Sequence, residues 1–266
     1  VFVPLMAPAL FLMGVGPLAR WKKASLPDLA SRLRWALAAA ALAALALPFA
    51  MGRWGVMVAL GVLLAAWVAA SGFVQLYEKV RNAASGVSAW TRLQAVPRAT
   101  YGMLLAHFGV AVFVVGVTLV KGYESEKDVR MEPGDTVELG GYTFRFDGVR
   151  DVKGPNYVAG RAQIPVTRDG KPVAMLYPEK RIYRVQNQPM TEAAIDTGFT
   201  RDLYVSLGDA VSDTAWVIRV HHKPFIDWIW GGCLLMALGG VLAASDRRYR
   251  LAARRPREEY AVAAAR

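Results

Sequence analysis

The sequence has few of the side chains on which soluble enzymes rely for chemistry. Among its 266 residues there are one cysteine and three histidines. The single cysteine, Cys233, cannot form a disulfide within the chain, and no cysteine pair is available to hold zinc. No glycine-rich phosphate loop follows a predicted strand, and no Ser–His–Asp set falls within one folded segment. These absences argue against disulfide-stapled domains, zinc modules and common nucleotide-binding folds, and they leave packing as the expected role of Cys233.

Hydrophobic residues make up 55% of the chain. Many of them are gathered into five long stretches that carry almost no charge. Each stretch is close to the roughly 20 residues that a helix needs to cross about 30 Å of hydrocarbon. The sequence therefore predicts a polytopic α-helical membrane protein with about five transmembrane helices and one inserted periplasmic all-β domain. The predicted order is four helices within residues 1–120 (about 1–18, 35–51, 54–73 and 102–120), a β-rich domain at 121–224, a fifth helix at 225–244 and a basic tail at 245–266.

Membrane topology accounts for the net charge of +11 without a nucleic-acid partner. Residues 121–223 carry fifteen basic and fifteen acidic side chains, so the whole excess lies in the helices, the short loops and the tail. Loops rich in Lys and Arg stay in the cytoplasm. The basic residues of segments 20–34, 79–98 and 247–266 then place the C-terminus in the cytoplasm and residues 121–224 in the periplasm, as in a multi-pass protein of the bacterial inner membrane.

Small residues within the apolar stretches predict that several helices pack closely against protein. Glycine has no side chain to hold two helix backbones apart, so it is enriched at helix–helix contacts in membranes. The glycines expected at such contacts are Gly61, Gly109, Gly116, Gly231, Gly232, Gly239 and Gly240.

The segment from Gly134 to Val220 consists of short β-branched and aromatic stretches with turn residues between them, which predicts a small barrel or sandwich of six or seven strands. Asp169-Gly170 is a favourable hairpin turn. Tyr142, Phe144 and Phe146 alternate with polar residues, as on a strand with one buried face. The acidic cluster Glu124, Glu126 and Asp128, beside two lysines, is interpreted as a solvated linker. The predicted strands are 136–139, 142–149, 163–167, 172–176, 203–207 and 215–220.

His107 is the one ionisable residue well inside a predicted transmembrane helix. Such a residue is costly to insert and usually faces the protein interior with a partner. Its neighbours on the same helix face are apolar, so a flat porphyrin could lie against them, and neutral imidazole is a good axial ligand for iron. The alternative is a histidine that is hydrogen-bonded to a neighbouring helix. The expected face comprises Met103, Leu104, Val110, Ala111 and Val114.

His221 and His222 lie where the β-rich domain meets the last predicted helix. Adjacent residues on a strand point to opposite faces, so the two imidazoles cannot both ligate one centre in regular geometry. Packing at an interface or exposure to solvent is the favoured interpretation, and a periplasmic haem or metal contact is the alternative.

Several ordered blocks resemble the CcmF family, the haem lyase subunits of cytochrome c maturation. They include Met190-Thr-Glu-Ala-Ala-Ile-Asp196, Arg201-Asp-Leu-Tyr204 and Pro178-Glu-Lys-Arg181 in the β-rich domain. The resemblance extends to Leu105-Ala-His-Phe-Gly-Val110, to Lys223-Pro-Phe225 with Trp228-Ile-Trp230, and to Gly14 to Trp21. The resemblance covers nearly the whole chain. The chain itself lacks the tryptophan-rich segment and three further histidines of the family. The chain therefore resembles the last two-fifths of such a protein, and its opening on Val1 suggests that residues upstream are missing.

The resemblance implies a role in covalent haem attachment to apocytochrome c, by thioether formation between haem vinyl groups and cysteines. It also implies that His107 is one axial ligand of a membrane b-type haem, whose second ligand lies in the missing N-terminal part. The chain would be part of a holocytochrome c synthase without being a complete enzyme. The implied partners are apocytochrome c, a CcmE-like haem carrier, a CcmH-like thiol-reducing subunit and the lipid bilayer.

Two further interpretations remain beside this one. The β-rich domain could belong to a non-enzymatic membrane-anchored assembly subunit and bind a partner protein. Within the domain, the blocks Pro178 to Arg181 and Met190 to Tyr204, which carry much of the resemblance, are assigned to the fold or a docking surface, and Arg181 and Arg201 could instead pair with haem propionates.

Overall fold

The computed structural model describes residues 2–19, 25–82, 86–185 and 188–246. The chain divides into a helical unit, residues 1–118 and 228–266, and a β unit, residues 119–227. Most of the predicted basic tail (247–266), and Arg20, Lys22 and Lys23 of the first basic loop, lie outside the described residues.

Six α-helices are present in the described residues: α1 (Phe2–Val15), α2 (Leu26–Ala50), α3 (Val56–Arg81), α4 (Ala89–Ala95), α5 (Arg98–Tyr123) and α6 (Asp227–Ala244). Four of them, α2, α3, α5 and α6, are long and apolar enough to cross a membrane. The first apolar stretch forms the shorter helix α1 and a 3-10 turn over Gly16–Leu18. Four of the five predicted spans thus correspond to helices of sufficient length, and the first stays a prediction.

Two of the long helices extend well beyond their apolar stretches because charged turns continue them. Helix α2 begins at Leu26, where the Ser25 hydroxyl caps the helix by accepting a hydrogen bond from the Asp28 backbone N–H at 3.3 Å. Arg32 then pairs with Asp28 at 3.0 Å on its own helix and with Glu78 at 3.3 Å on the last turns of α3. These contacts stabilise polar turns that a search for apolar runs passes over.

Glycines bring α5 and α6 into close contact. A Cβ atom added at Gly109 would meet the backbone of Gly232 and Met236, and one added at Gly239 would meet the backbone of Gly102 and Ala106. Gly102, Gly109 and Gly116 are spaced seven residues apart, about two helical turns, so all three lie on one helix face. The predicted close packing is therefore confirmed for Gly61, Gly109, Gly116, Gly232 and Gly239, but it is wrong for Gly231 and Gly240, which face open space.

The described part of the β unit contains twelve strands in three four-stranded antiparallel sheets, in the orders β1-β12-β11-β10, β2-β3-β6-β7 and β4-β5-β8-β9. The strands are β1 (Ser125–Met131), β2 (Thr136–Leu139), β3 (Tyr142–Arg145), β4 (Val149–Lys153), β5 (Tyr157–Ala162), β6 (Ile164–Arg168), β7 (Lys171–Leu176), β8 (Glu179–Tyr183), β9 (Pro189–Glu192), β10 (Ala194–Asp196), β11 (Arg201–Ala210) and β12 (Trp216–Pro224).

The first two sheets enclose one hydrophobic core. Strand β1 lies beside β2, and β10 lies beside β7, so the two sheets approach each other along both edges. Phe144 and Phe146 are fully buried between Ile164, Leu203 and Ile218 and their neighbours. The predicted alternation is confirmed, because Tyr142, Phe144 and Phe146 are buried while Arg145 and Asp147 are exposed.

The structure corrects two predictions for the β unit. Six or seven strands were too few, because six strands without a clear alternating apolar pattern were missed: β1, β4, β5, β8, β9 and β10. The acidic cluster is no linker: Glu126 and Asp128 lie on β1, which pairs with β12, and Arg219 of β12 contacts Asp128 at 2.7 Å. The hairpin is confirmed, since Asp169 and Gly170 adopt φ values of 50° and 73° between β6 and β7.

Candidate functional site

His107 lies in the first half of α5 (Arg98–Tyr123), and its side chain is half-buried. Its Nδ1 atom is 2.8 Å from the backbone carbonyl oxygen of Met103, one turn earlier on the same helix. A carbonyl can only accept, so this hydrogen bond requires a hydrogen on Nδ1. In the neutral imidazole the lone pair then belongs to Nε2, which is the atom available to ligate a metal. The alternative interpretation of the sequence was a hydrogen bond from His107 to a neighbouring helix. The observed hydrogen bond is instead to Met103, within α5.

A groove of about 290 Å³ lies beside His107, between α3 and α5. Its walls are apolar, and the hydroxyl of Tyr101 is turned to its own partner, the Leu93 carbonyl oxygen at 2.7 Å. Gly72 has no side chain to occupy the groove, and a Cβ atom at this position would lie 3.4 Å from Leu104 Cδ2 on the opposite wall. The lining residues are Val68, Ala69, Gly72, Phe73, Leu76, Tyr101, Leu104, Leu105, His107 and Phe108.

The groove differs from the face expected around His107. Of the five apolar neighbours expected, only Leu104 lines it. The wall residues contributed by α3 were missed because an apolar residue in a transmembrane helix carries no sequence signal that distinguishes a lipid-facing position from a ligand-facing one. The small residues Ala69 and Gly72, three apart on one helix face, were the available hint.

The chemistry of the groove fits a planar apolar cofactor that brings most of its own metal ligands. Among the described residues, no three His, Cys, Asp or Glu side chains are grouped so that they could hold a bare metal ion. Haem iron, in contrast, receives four nitrogens from the porphyrin and needs only axial ligands from protein. One imidazole on an apolar wall therefore suits haem and does not suit an isolated ion.

Arg181 makes contacts with two carboxylates on its own sheet. Its side chain contacts Glu179 at 2.7 Å and Glu192 at 3.3 Å and lies 4.6 Å from the ring centre of Tyr157. Burial alone would raise the pKa of Glu179, but hydrogen bonds from Arg181 and Arg161 outweigh it and hold that pKa below its ordinary value. These contacts explain how a nearly buried carboxylate is kept ionised. Pairing of Arg181 with a haem propionate stays a prediction.

His221 and His222 have separate environments on the two faces of β12. The His221 ring packs edge-on against Tyr204 at 4.9 Å, and its Nδ1 atom is 3.4 Å from Glu126. The His222 ring lies 5.9 Å from that of Tyr142. Burial lowers the pKa of both imidazoles. Packing between strands is thus the observed environment of each.

Comparison with known proteins gives matches over almost the whole chain. Residues 122–224 match the family model described as the CcmF C-terminal β-sandwich. The cytochrome c-type biogenesis protein CcmF of Pseudomonas aeruginosa is 49% identical over 94% of this chain and 38% of its own length. The CcmF protein of Escherichia coli is 41% identical over 94% of this chain and 37% of its own length.

A solved structure gives the same result for the fold. The protein described as cytochrome c heme lyase CcmF superposes with a TM-score of 0.71 at 25% identity, over 90% of this chain and 38% of that one. The chain thus spans about two-fifths of the length of the relatives it matches.

Proposed function

Because the chain belongs to the CcmF family, as the counterpart of its C-terminal part, we propose that it forms the C-terminal part of a cytochrome c haem lyase. In this proposal His107 is one axial ligand of a membrane b-type haem, and residues 121–224 form a periplasmic docking domain. The activity belongs to the whole lyase, of which the chain supplies one haem ligand and one partner surface.

The observation that carries the proposal is the geometry of His107. Its Nδ1–H is held by the Met103 carbonyl, so the ring is fixed in the tautomer that offers Nε2 to iron. The adjoining groove between α3 and α5 is apolar, as the faces of a porphyrin require. A membrane anchor alone has no use for an ionisable side chain in such a helix, so this geometry favours the lyase over an assembly subunit that only binds a partner.

The residues around His107 have separable roles. Met103 orients the imidazole through its carbonyl oxygen, and a hydrogen bond at Nδ1 also makes Nε2 more basic. Leu104, Leu105 and Phe108 give the groove an apolar wall that would exclude water from the face of the porphyrin. Gly72 leaves space for the porphyrin on the α3 side of the groove. When bound, haem would supply an electron-transfer centre that keeps the haem awaiting attachment in its reduced state. The second axial ligand is assigned to the portion of the longer relatives that this chain does not cover.

The β unit is proposed to dock the partners of the reaction on the periplasmic side. Residues 121–224 carry fifteen acidic and fifteen basic side chains, so the domain has no net charge, which suits contact with several proteins of different charge. Both ends of the unit continue directly into apolar helices, α5 at Tyr123 and α6 at Asp227, so the domain is tethered to the helical unit at both of its ends. The proposed partners are apocytochrome c, a CcmE-like haem carrier and a CcmH-like thiol-reducing subunit.

The experiment is a haem analysis of the chain co-purified with the N-terminal part of a CcmF relative. The wild-type complex is expected to show the reduced spectrum of a b-type haem. His107→Ala should remove that spectrum and most of the haem, because it deletes the proposed ligand without adding bulk.

The other two histidines of the chain are matched controls. His221→Ala and His222→Ala should retain the spectrum and the haem content of the wild type, since neither imidazole lies in the helical unit. Full haem content in the His107→Ala complex would show that the assignment is wrong.

A further inference from the structure

Two arginines from different strands converge on one tyrosine hydroxyl in the β unit. Arg168, at the end of β6, donates a hydrogen bond to Tyr142 Oη at 3.3 Å, and Arg201, at the start of β11, donates one through Nε at 3.1 Å. Both guanidinium carbons lie 5.2 Å from the centre of the Tyr142 ring, and the His222 ring is 5.9 Å away. This group of Arg168, Arg201, Tyr142 and His222 is called the double-arginine cluster.

The positive charge of the cluster is only partly balanced within the chain. The Nη1 atom of Arg201 is 2.5 Å from Asp196 Oδ2. The nearest carboxylate of Arg168 is Asp169, at 4.0 Å, with 91% of its side chain exposed to solvent. Arg168 and Arg201 repel each other, because both are cations and the acceptor that they share is neutral. The solvent-exposed contact of Arg168 with Asp169 at 4.0 Å offsets little of that repulsion. The arrangement therefore favours an added anion beside Arg168.

Unused hydrogen-bond donors point to the same conclusion. The Tyr142 oxygen accepts from both arginines, so its own hydrogen must be donated to a third group. In the described ranges of the chain, that hydrogen has no acceptor, and neither arginine donates a hydrogen bond through Nη2. A phenol hydrogen and two guanidinium groups around one point match the oxygens of a phosphate, which accepts several charge-assisted hydrogen bonds at once.

The cluster lies at the end of the β unit where the chain continues into the two apolar helices. Arg201 pairs with Pro224 on β12, and His222 pairs with Ser125 on β1. Helix α5 ends at Tyr123 and helix α6 begins at Asp227. Three residues of extended chain reach roughly 11 Å at most, so the chain allows no greater distance between Pro224 and Asp227, the first residue of the apolar helix α6.

We propose that the double-arginine cluster binds the phosphate of an anionic phospholipid headgroup. The lipid would complete the hydrogen bonds of Tyr142 and Arg168 and hold this end of the β unit against the bilayer. The proposal does not depend on haem binding by His107, and either can fail without the other.

The test measures lipid binding to the full chain, purified in detergent and freed of lipid, by native mass spectrometry. The probes are phosphatidylglycerol, diacylglycerol with the same acyl chains, and inorganic phosphate. The wild type should bind one phosphatidylglycerol at least about tenfold more tightly than diacylglycerol, because only the former carries the phosphate. Arg168→Gln should lose about tenfold in affinity for phosphatidylglycerol, since one charged donor is removed.

Arg145→Gln is the matched control, because Arg145 is an exposed arginine of β3 on the face opposite Tyr142 and pairs with Asp147 at 2.7 Å. This variant should bind phosphatidylglycerol like the wild type. Arg168 is 58% exposed, so its replacement leaves the core intact, which thermal unfolding checks. Equal affinity of Arg168→Gln and the wild type, or no preference for phosphatidylglycerol over diacylglycerol, would overturn the proposal. Displacement of the lipid by low millimolar inorganic phosphate would identify a free-phosphate site and overturn it too.

Discussion

The contact between α5 and α6 allows a paired substitution whose two members differ only in what they face. Gly239 and Gly240 are neighbours on α6, but a Cβ atom at Gly239 would lie 2.5 Å from the backbone nitrogen of Ala106, while one at Gly240 would meet nothing within 4 Å. Carbon atoms need about 3.5 Å or more, so Gly239→Ala must push the helices apart by about 1 Å. The obstacle is backbone, which no rotamer change can remove.

The magnitudes follow from two opposing terms. Replacing glycine by alanine within a helix gains up to about 1 kcal/mol of helix stability, and this is the whole effect expected for Gly240→Ala. Overpacking a tight contact costs about 1 to 3 kcal/mol, so Gly239→Ala should be destabilising on balance, by up to about 2 kcal/mol. The two variants should therefore differ in sign.

The assay is reversible unfolding in mixed detergent micelles, followed by far-ultraviolet circular dichroism, with the free energy of unfolding compared between the two variants. Lower stability of Gly239→Ala together with unchanged or higher stability of Gly240→Ala is the expected result. Equal stabilities would refute the reasoning, because the tight backbone contact between α5 and α6 would then be absent in the membrane protein.

Three further outcomes follow from single contacts. Gly72→Leu should lower haem content with little change in folding, because it fills the groove beside His107, whereas Val56→Leu at an exposed site on the same helix should not. Asp246→Ala should destabilise the helical unit by about 1 kcal/mol in the same micelle assay, because Asp246 Oδ2 accepts the Ala99 backbone N–H at 3.0 Å in the first turn of α5. Glu179→Gln should make the free energy of unfolding of the β unit less dependent on pH in the acid range. The pKa of Glu179 is lowered on folding, so the ionised carboxylate contributes its full stabilisation above the ordinary pKa of 4.5. That stabilisation is lost as pH falls through the lower pKa of the folded state.

The features that the sequence predicts well are those with a strong local pattern. The hydrophobic stretches identify the four long helices, and the Tyr142, Phe144, Phe146 alternation and the Asp169-Gly170 turn identify strands β3, β6 and β7. Element ends are harder because long-range contacts fix them. The polar first turns of α2 are stabilised in part by the contact of Arg32 with Glu78 on α3, a pairing that no window of sequence contains.

Strand pairing explains the other misses. Glu126 and Asp128 look like a solvated linker until Arg219, far along the chain, is placed opposite them by the pairing of β1 with β12. The candidate site follows the same division. His107 stands out in the sequence as an ionisable residue in an apolar helix, whereas Gly72 and Ala69 acquire a role only when α3 is seen beside α5.

The central claim is that His107 Nε2 ligates haem iron, and chemical rescue tests it most directly. His107→Gly, co-purified with the N-terminal part of a CcmF relative, should lack the reduced b-type spectrum, and imidazole added at millimolar concentration should restore it by entering the apolar space that the side chain leaves. A full b-type spectrum in His107→Gly without imidazole would contradict the account.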